Sequence, residues 1–77
     1  MSRNNTIKEA LFAAKKELKE SGAGEYKLDA ELFIMKAANM TKTSVLINGD
    51  KELTESEEKL FNSMVQKRKK GVPAQYI

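Results

Sequence analysis

The side chains in this sequence that could do chemistry are carboxylates, lysines and hydroxyls. The chain has 77 residues and contains no His and no Cys. The usual zinc ligands, imidazole acid–base pairs and thiol nucleophiles are therefore all missing. Without cysteine there is also no disulfide framework to stabilise a small core. This composition favours a binding or accessory module over an enzyme.

Two groups of carboxylates lie close together in the sequence. Glu55, Glu57 and Glu58 could hold a hard cation in principle. Consecutive glutamates at a helix start point in different directions, however, and acidic residues are favourable there in any case. Asp29 and Glu31 are two residues apart, which is about 200° around a helix. Neither group predicts a metal site or an acid–base pair.

The most basic stretch runs from Lys67 to Lys70. In the last turn of a helix, these cations interact favourably with the negative end of the helix dipole, which is a purely structural explanation for them. The functional alternative is a patch for an acidic protein or RNA, with Arg68, Lys69 and Lys70 as candidate contact residues. No aromatic residues are interleaved with this run, so base stacking is poorly supported.

The elements that must position these side chains are helices, because apolar residues recur at helical spacing and no stretch alternates with period two. Thr6 and Thr54 are each followed three residues later by Glu, which predicts two capping boxes. Four helices are expected, over Ile7 to Ser21, Tyr26 to Asn39 or Met40, Lys42 to Ile47, and from Thr54 until Gly71. The fold class is therefore all-α, a small bundle of four to five helices.

The predicted core takes one phenylalanine from each long helix, namely Phe12, Phe33 and Phe61. The second helix is apolar around most of its circumference, which predicts that the others pack against it. Further predicted inward positions are Ile7, Leu11, Ala14 and Leu18, then Leu28, Leu32 and Met35, then Val45 and Leu46, and finally Leu60, Met64 and Val65.

The glycines after the first helix could suggest a phosphate-binding loop. Gly22-Ala23-Gly24 lacks a third glycine at the required spacing, and no strand precedes it. We interpret Gly22 instead as a helix terminator in the left-handed conformation.

Charge and hydropathy restrict the partners. Fourteen Lys and Arg against eleven Asp and Glu give a net charge of +3, too small to predict a strong field for nucleic acid. The first six residues are polar apart from Met1, and the longest apolar runs, such as Leu32 to Met35, are too short to cross a bilayer. We expect a cytoplasmic protein without a membrane partner.

Three stretches, in this order and spacing, resemble one family. They are Ile7-Lys8-Glu9-Ala10-Leu11, Leu28-Asp29-Ala30-Glu31-Leu32 and Arg68-Lys69-Lys70-Gly71-Val72-Pro73-Ala74-Gln75-Tyr76-Ile77, with Glu52-Leu53-Thr54 before the fourth helix. Together they resemble the N-terminal domain of the release-factor glutamine methyltransferases (HemK, also called PrmC). The resemblance covers about Thr6 to Ile77, and the final stretch is its most specific part.

The resemblance implies that the longer protein transfers a methyl group from S-adenosylmethionine to the glutamine side-chain nitrogen of the Gly-Gly-Gln motif in peptide-chain release factors. The helical domain would help to recognise the release factor, and a linker would join it to a Rossmann-like methyltransferase domain. The family's Asn-Pro-Pro-Tyr signature and Gly-rich cofactor loop do not occur in this sequence. No catalytic, cofactor-binding or metal residue is therefore expected here, and this fragment alone is not expected to be an enzyme.

Gly71, Pro73, Gln75, Tyr76 and Ile77 match the family pattern where the bundle meets the linker. The expected division is a disordered N-terminus over 1–5, a recognition domain over 6–71, and an extended linker start over 72–77. The resemblance also implies a monomer that binds release factors and makes no direct nucleic-acid contact. Two alternatives stay open: a nucleic-acid-binding domain that uses Lys67 to Lys70, and a protein-interaction module unrelated to methyl transfer.

Overall fold

The computed structural model describes residues 6–77, which form a bundle of four α-helices followed by a short 3₁₀ turn. The helices are α1 (Ile7–Glu20), α2 (Tyr26–Ala38), α3 (Lys42–Ile47) and α4 (Glu55–Lys69), and the turn spans Ala74–Tyr76. The predicted all-α fold is confirmed. The disorder predicted for residues 1–5 lies outside the described residues.

Both predicted capping boxes are present. The Thr6 hydroxyl accepts the Glu9 N–H at 3.1 Å, and the Glu9 carboxylate accepts the Thr6 N–H at 3.1 Å. Thr54 and Glu57 form the same pair of bonds at 3.1 and 2.9 Å. Each box satisfies backbone donors that the start of a helix leaves without an internal partner.

Helices α1 and α4 end in the same way, at a glycine with positive φ. Gly22 has φ 92° and Gly71 has φ 100°. The next residue then donates its N–H back to the helix, from Ala23 to the Leu18 carbonyl at 3.0 Å and from Val72 to the Lys67 carbonyl at 3.1 Å. This is the Schellman arrangement, which favours glycine because a side chain is strained at this φ.

The turn that follows α3 closes the first turn of α1. The Ile7 N–H donates to the Lys51 carbonyl and the Lys8 N–H donates to the Gly49 carbonyl, both at 2.9 Å. These two bonds satisfy two of the free donors at the start of α1. They also hold the end of α3 beside the first half of α1.

Helix α2 lies at the centre, because α1, α3 and α4 all pack against it. This confirms the prediction from its broad apolar surface. No helix within residues 6–77 is both long and apolar enough to cross a bilayer. The buried core consists of Ile7, Ala10, Ala14 and Leu18 from α1, Ala30, Phe33, Ile34 and Ala37 from α2, Val45 from α3, and Phe61, Met64 and Val65 from α4.

Four predicted core positions are wrong. Phe12 is 74% exposed and Leu46 is 70% exposed, while Leu28 and Leu60 are 59% and 47% exposed. Phe12 lies two residues from both Ala10 and Ala14, about 200° around α1 from the buried face. Leu28 is also two residues, about 200°, from the buried Ala30. Leu46 and Leu60 are each one residue, about 100°, from the buried Val45 and Phe61, which is enough to turn their side chains outward.

The predicted extended conformation after Pro73 is also wrong. Residues Ala74–Tyr76 form a 3₁₀ turn, in which the Tyr76 N–H donates to the Pro73 carbonyl at 3.0 Å. Ala74 and Ile77 are half-buried and pack against the core. The apolar side chains on either side of the turn therefore fold the segment back onto the bundle.

Candidate functional site

The candidate contact and linker residues predicted from the sequence lie in the last turn of α4 and in the segment that follows it. Arg68 does not project into solvent, because its Nε donates to a carboxylate oxygen of Asp29 at 2.8 Å. The two side chains are 22% and 10% exposed. This ion pair joins the last turn of α4 to the first turn of α2, so Arg68 is engaged within the bundle.

The neighbouring cations differ in their surroundings. Lys69 Nζ lies 3.2 Å from a carboxylate oxygen of Glu17, an ion pair that links α4 to α1 at the surface. Lys67 and Lys70 are exposed, and neither forms an ion pair with another residue in the range 6–77. Two of the four cations thus form ion pairs that link helices of the bundle. Only Lys67 and Lys70 are left to form a basic patch for a partner.

The five residues that match the family pattern lie at the point where the chain leaves α4. Gly71 makes the left-handed turn, and Pro73 precedes the 3₁₀ turn. Gln75 and Tyr76 are exposed, whereas Ile77 is half-buried against the core. The structure thus brings these residues together at one end of the bundle, and their linker role stays a prediction.

The Leu28–Leu32 stretch is explained by contacts within the bundle. Asp29 points to Arg68 on α4. Glu31 points the other way, where its two carboxylate oxygens lie 3.9 Å from Lys15 Nζ on α1 and 3.8 Å from Lys42 Nζ on α3. The two acids therefore contact different neighbours, as their angular separation predicts, and they form no catalytic pair.

A second surface was missed by reading the sequence. Phe12 on α1 and Leu46 on α3 line one cavity of about 310 Å³, together with Leu11, Val45, Gly49 and the Ile7, Lys8 and Lys15 side chains. The sequence does carry a signal for it. Phe12, Lys15, Lys16 and Lys19 recur at helical spacing, on a face of α1 that is distinct from the buried one.

Neither a metal-type cluster nor a Rossmann-type cofactor loop occurs within residues 6–77. Residues 6–77 contain no group of three or more His, Cys, Asp or Glu placed to hold a metal ion. They form no β-strand, and Gly22 and Gly24 lie in a turn between two helices. The loop at a strand's carboxyl end that cradles a nucleotide-like cofactor has no counterpart here.

Comparison with known proteins identifies the fold's relatives. The model of the PrmC N-terminal domain family matches residues 9–77. Release factor glutamine methyltransferase of Koribacter versatilis is 32% identical over 72 residues, which cover 94% of this chain and 26% of that protein. The enzyme of the same name from Bacillus cereus is 32% identical over 71 residues, which cover 92% of this chain and 24% of that protein.

The enzyme of that name from Clostridium botulinum is 28% identical over 71 residues, covering 92% of this chain and 25% of the relative. The chain thus spans about a quarter of the length of these curated relatives. No solved structure gave a significant match. Since the family model extends over nearly all of the described bundle, this chain belongs to the PrmC N-terminal domain family.

Proposed function

We propose that this domain recognises the substrate for a methyltransferase that modifies the glutamine of the Gly-Gly-Gln motif in peptide-chain release factors. The observation that carries the proposal is the family match over residues 9–77, together with relatives named release factor glutamine methyltransferase. The methyl donor is S-adenosylmethionine, bound by a part of the longer protein outside these residues. The protein acts in the cytoplasm as a monomer.

Features of the exposed surface support a recognition role for these residues. The carboxylates of Glu9 and Glu57 close capping boxes, and those of Asp29 and Glu31 form ion pairs. The first two carboxylates cap their own helices, and the last two link neighbouring helices. What the bundle offers a partner is its surface, where large apolar side chains and lysines are exposed.

The direct test is a methyl-transfer assay on the longer protein with and without residues 1–77. The substrate is the intact release factor, and transfer of labelled methyl groups from S-adenosylmethionine is measured. We expect the truncated enzyme to show a large loss of kcat/KM. Undiminished methylation of the release factor would contradict the recognition role.

Truncation could also damage the remaining enzyme, so its integrity needs a separate measurement. Binding of S-adenosylmethionine to the truncated protein, measured by calorimetry, reports on that domain alone. Retained cofactor binding with reduced release-factor methylation is the result that the proposal predicts.

A further inference from the structure

Two large apolar side chains, one on α1 and one on α3, are exposed at the same cavity. Phe12 is 74% exposed and Leu46 is 70% exposed, and both line the cavity of about 310 Å³ described above. Leu11 and Val45 form further apolar walls of the same cavity. Exposed apolar clusters that are concave and rimmed by polar groups are typical of protein-binding sites.

The charged residues that line this cavity are both lysines. Lys8 and Lys15 line the cavity itself, and an adjoining pocket on the other side of Phe12 is lined by lysines and Tyr26. No acidic residue of the described chain lines either pocket. The lysines of the second pocket are Lys15, Lys16, Lys19 and Lys27.

Three of the five lysines that line the two pockets have no ion-pair partner among residues 6–77, while Lys15 pairs with Glu31 at 3.9 Å. Lys16, Lys19 and Lys27 form no ion pair with any other residue in the range 6–77. Lys8 pairs with Asp50 at 3.5 Å, but these side chains are 73% and 95% exposed, so the pair is weak and screened by salt. The surface therefore attracts negative charge.

The geometry is fixed before any partner arrives. Glu31 of α2 lies between Lys15 and Lys42, and the turn after α3 is hydrogen-bonded to the start of α1. Helices α1 and α3 are thus held at a set separation around the cavity. A preformed cavity loses little conformational freedom on binding, which favours affinity.

We propose that this surface, formed by Phe12, Leu46 and the lysines of α1, binds an acidic protein segment that inserts an apolar side chain between α1 and α3. The inference rests on the proposed function, since the segment then belongs to the release factor. Charge complementarity selects the acidic partner, and the aliphatic walls select an apolar anchor.

Two other occupants fit less well. A second copy of the chain meeting at this surface would place lysines against lysines, which opposes association. The lysines could bind the phosphates of a nucleic acid. The cavity walls formed by Leu11, Val45 and Leu46 are aliphatic, however, and provide no aromatic surface on which a base could stack. Arg68 could form a bidentate interaction with a phosphate, but its guanidinium is already paired with Asp29.

The test uses two variants of the longer enzyme. Phe12→Ser removes the exposed ring, and Lys16→Glu/Lys19→Glu reverses two charges that have no partner in the described chain. We expect KM for the intact release factor to rise at least about tenfold in each, while kcat at saturating substrate changes little. The effect of the charge reversal should shrink as salt is raised.

The matched control is Lys36→Glu/Lys59→Glu, which makes the same charge change at exposed positions that line neither pocket. This control should keep KM within about twofold of the unmodified enzyme. Circular dichroism of each variant checks that the bundle remains folded. A KM equal to the control in both test variants would overturn the inference.

Other outcomes distinguish this inference from the proposed function. If deletion of residues 1–77 raises KM but neither test variant does, recognition uses another face of the bundle, and only the inference fails. If deletion leaves methylation unchanged, the proposed function fails as well. If Lys16→Glu/Lys19→Glu loses binding to a single-stranded RNA oligonucleotide with an unchanged KM, or if Phe12→Ser changes the sedimentation coefficient, the partner is RNA or a second copy, and the inference is overturned.

Discussion

Asp29 of α2 and Arg68 of α4 are 39 positions apart in the chain, and their side chains meet at 2.8 Å. The bond lies at the end of the bundle where the chain turns at Gly71 into the segment that folds back through Ala74 and Ile77. The bond therefore links the central helix α2 to the last turn of α4. The same contact accounts for two conspicuous residues of the sequence, an acid in the second helix and an arginine in the basic run.

Loss of this pair should destabilise the bundle. Asp29→Asn removes the charge from a group with little access to water and leaves the guanidinium without its counterion. The free energy of unfolding should fall by about 1–3 kcal/mol. Urea denaturation of Asp29→Asn, Arg68→Met and the double variant measures the coupling between the two side chains.

The matched control is Glu17→Gln, which breaks the more exposed pair with Lys69. That change should cost about 0–1 kcal/mol. Additive losses in the double variant, with no coupling energy, would show that the contact between Asp29 and Arg68 contributes nothing specific.

Substitution of Gly71 should be costly for a backbone reason. Its φ of 100° is a conformation in which a Cβ atom is strained, although nothing lies within 4 Å of the position where that Cβ would be. Gly71→Ala should lower the free energy of unfolding by about 1–2 kcal/mol. Thermal unfolding followed by circular dichroism measures the change.

Gly24 provides the comparison, because it also has open space around it but no positive φ. Gly24→Ala should be neutral or stabilising by up to about 1 kcal/mol, since it restricts the unfolded chain. Equal losses at the two glycines would contradict the explanation from φ.

The same truncation should destabilise the bundle far more at Phe33 than at Phe12. Phe33 is fully buried at 0% exposure, whereas Phe12 is 74% exposed. Phe33→Ala should cost about 3–5 kcal/mol, which is comparable to the whole stability of a small domain. Phe12→Ala should change the free energy of unfolding by no more than about 0.5 kcal/mol.

Chemical denaturation of both phenylalanine variants gives the measurement. A large loss of stability in Phe12→Ala would mean that its ring is part of the core in solution. That result would also remove the basis for the proposed binding surface formed by Phe12, Leu46 and the lysines of α1.

The cap at Thr54 should contribute measurably to the stability of α4. Thr54→Ala removes the hydroxyl that accepts the Glu57 N–H, and the expected loss is about 1 kcal/mol. Thr43→Ala, an exposed position inside α3, is the control and should stay within about 0.5 kcal/mol. A smaller loss at Thr54 than at Thr43 would contradict the role of the cap.

The helices and their ends could be predicted from the sequence, because the interactions that set them are local. Thr6 and Glu9, or Thr54 and Glu57, are three residues apart, so the capping boxes form wherever the chain begins a helix there. Gly22 and Gly71 end their helices because glycine, which has no Cβ atom, adopts positive φ without strain wherever it occurs. The quoted stretches likewise gave the family resemblance that the comparison confirms.

The outward faces could not be predicted in the same way. Phe12 and Leu46 are apolar and lie near core positions in the sequence, but whether they are buried depends on which side of each helix meets α2. Arg68 looks like a surface cation of a basic run until Asp29, far away in the chain, is placed beside it.

The sequence by itself determined that this chain forms capped helices with a buried stripe and resembles a domain of known methyltransferases. Only the tertiary structure decided which cations are engaged within the bundle and which apolar side chains remain exposed between α1 and α3. The physical reason is the range of the interactions. Helix formation depends on neighbours a few residues away, whereas burial and ion pairing depend on the relative positions of whole helices.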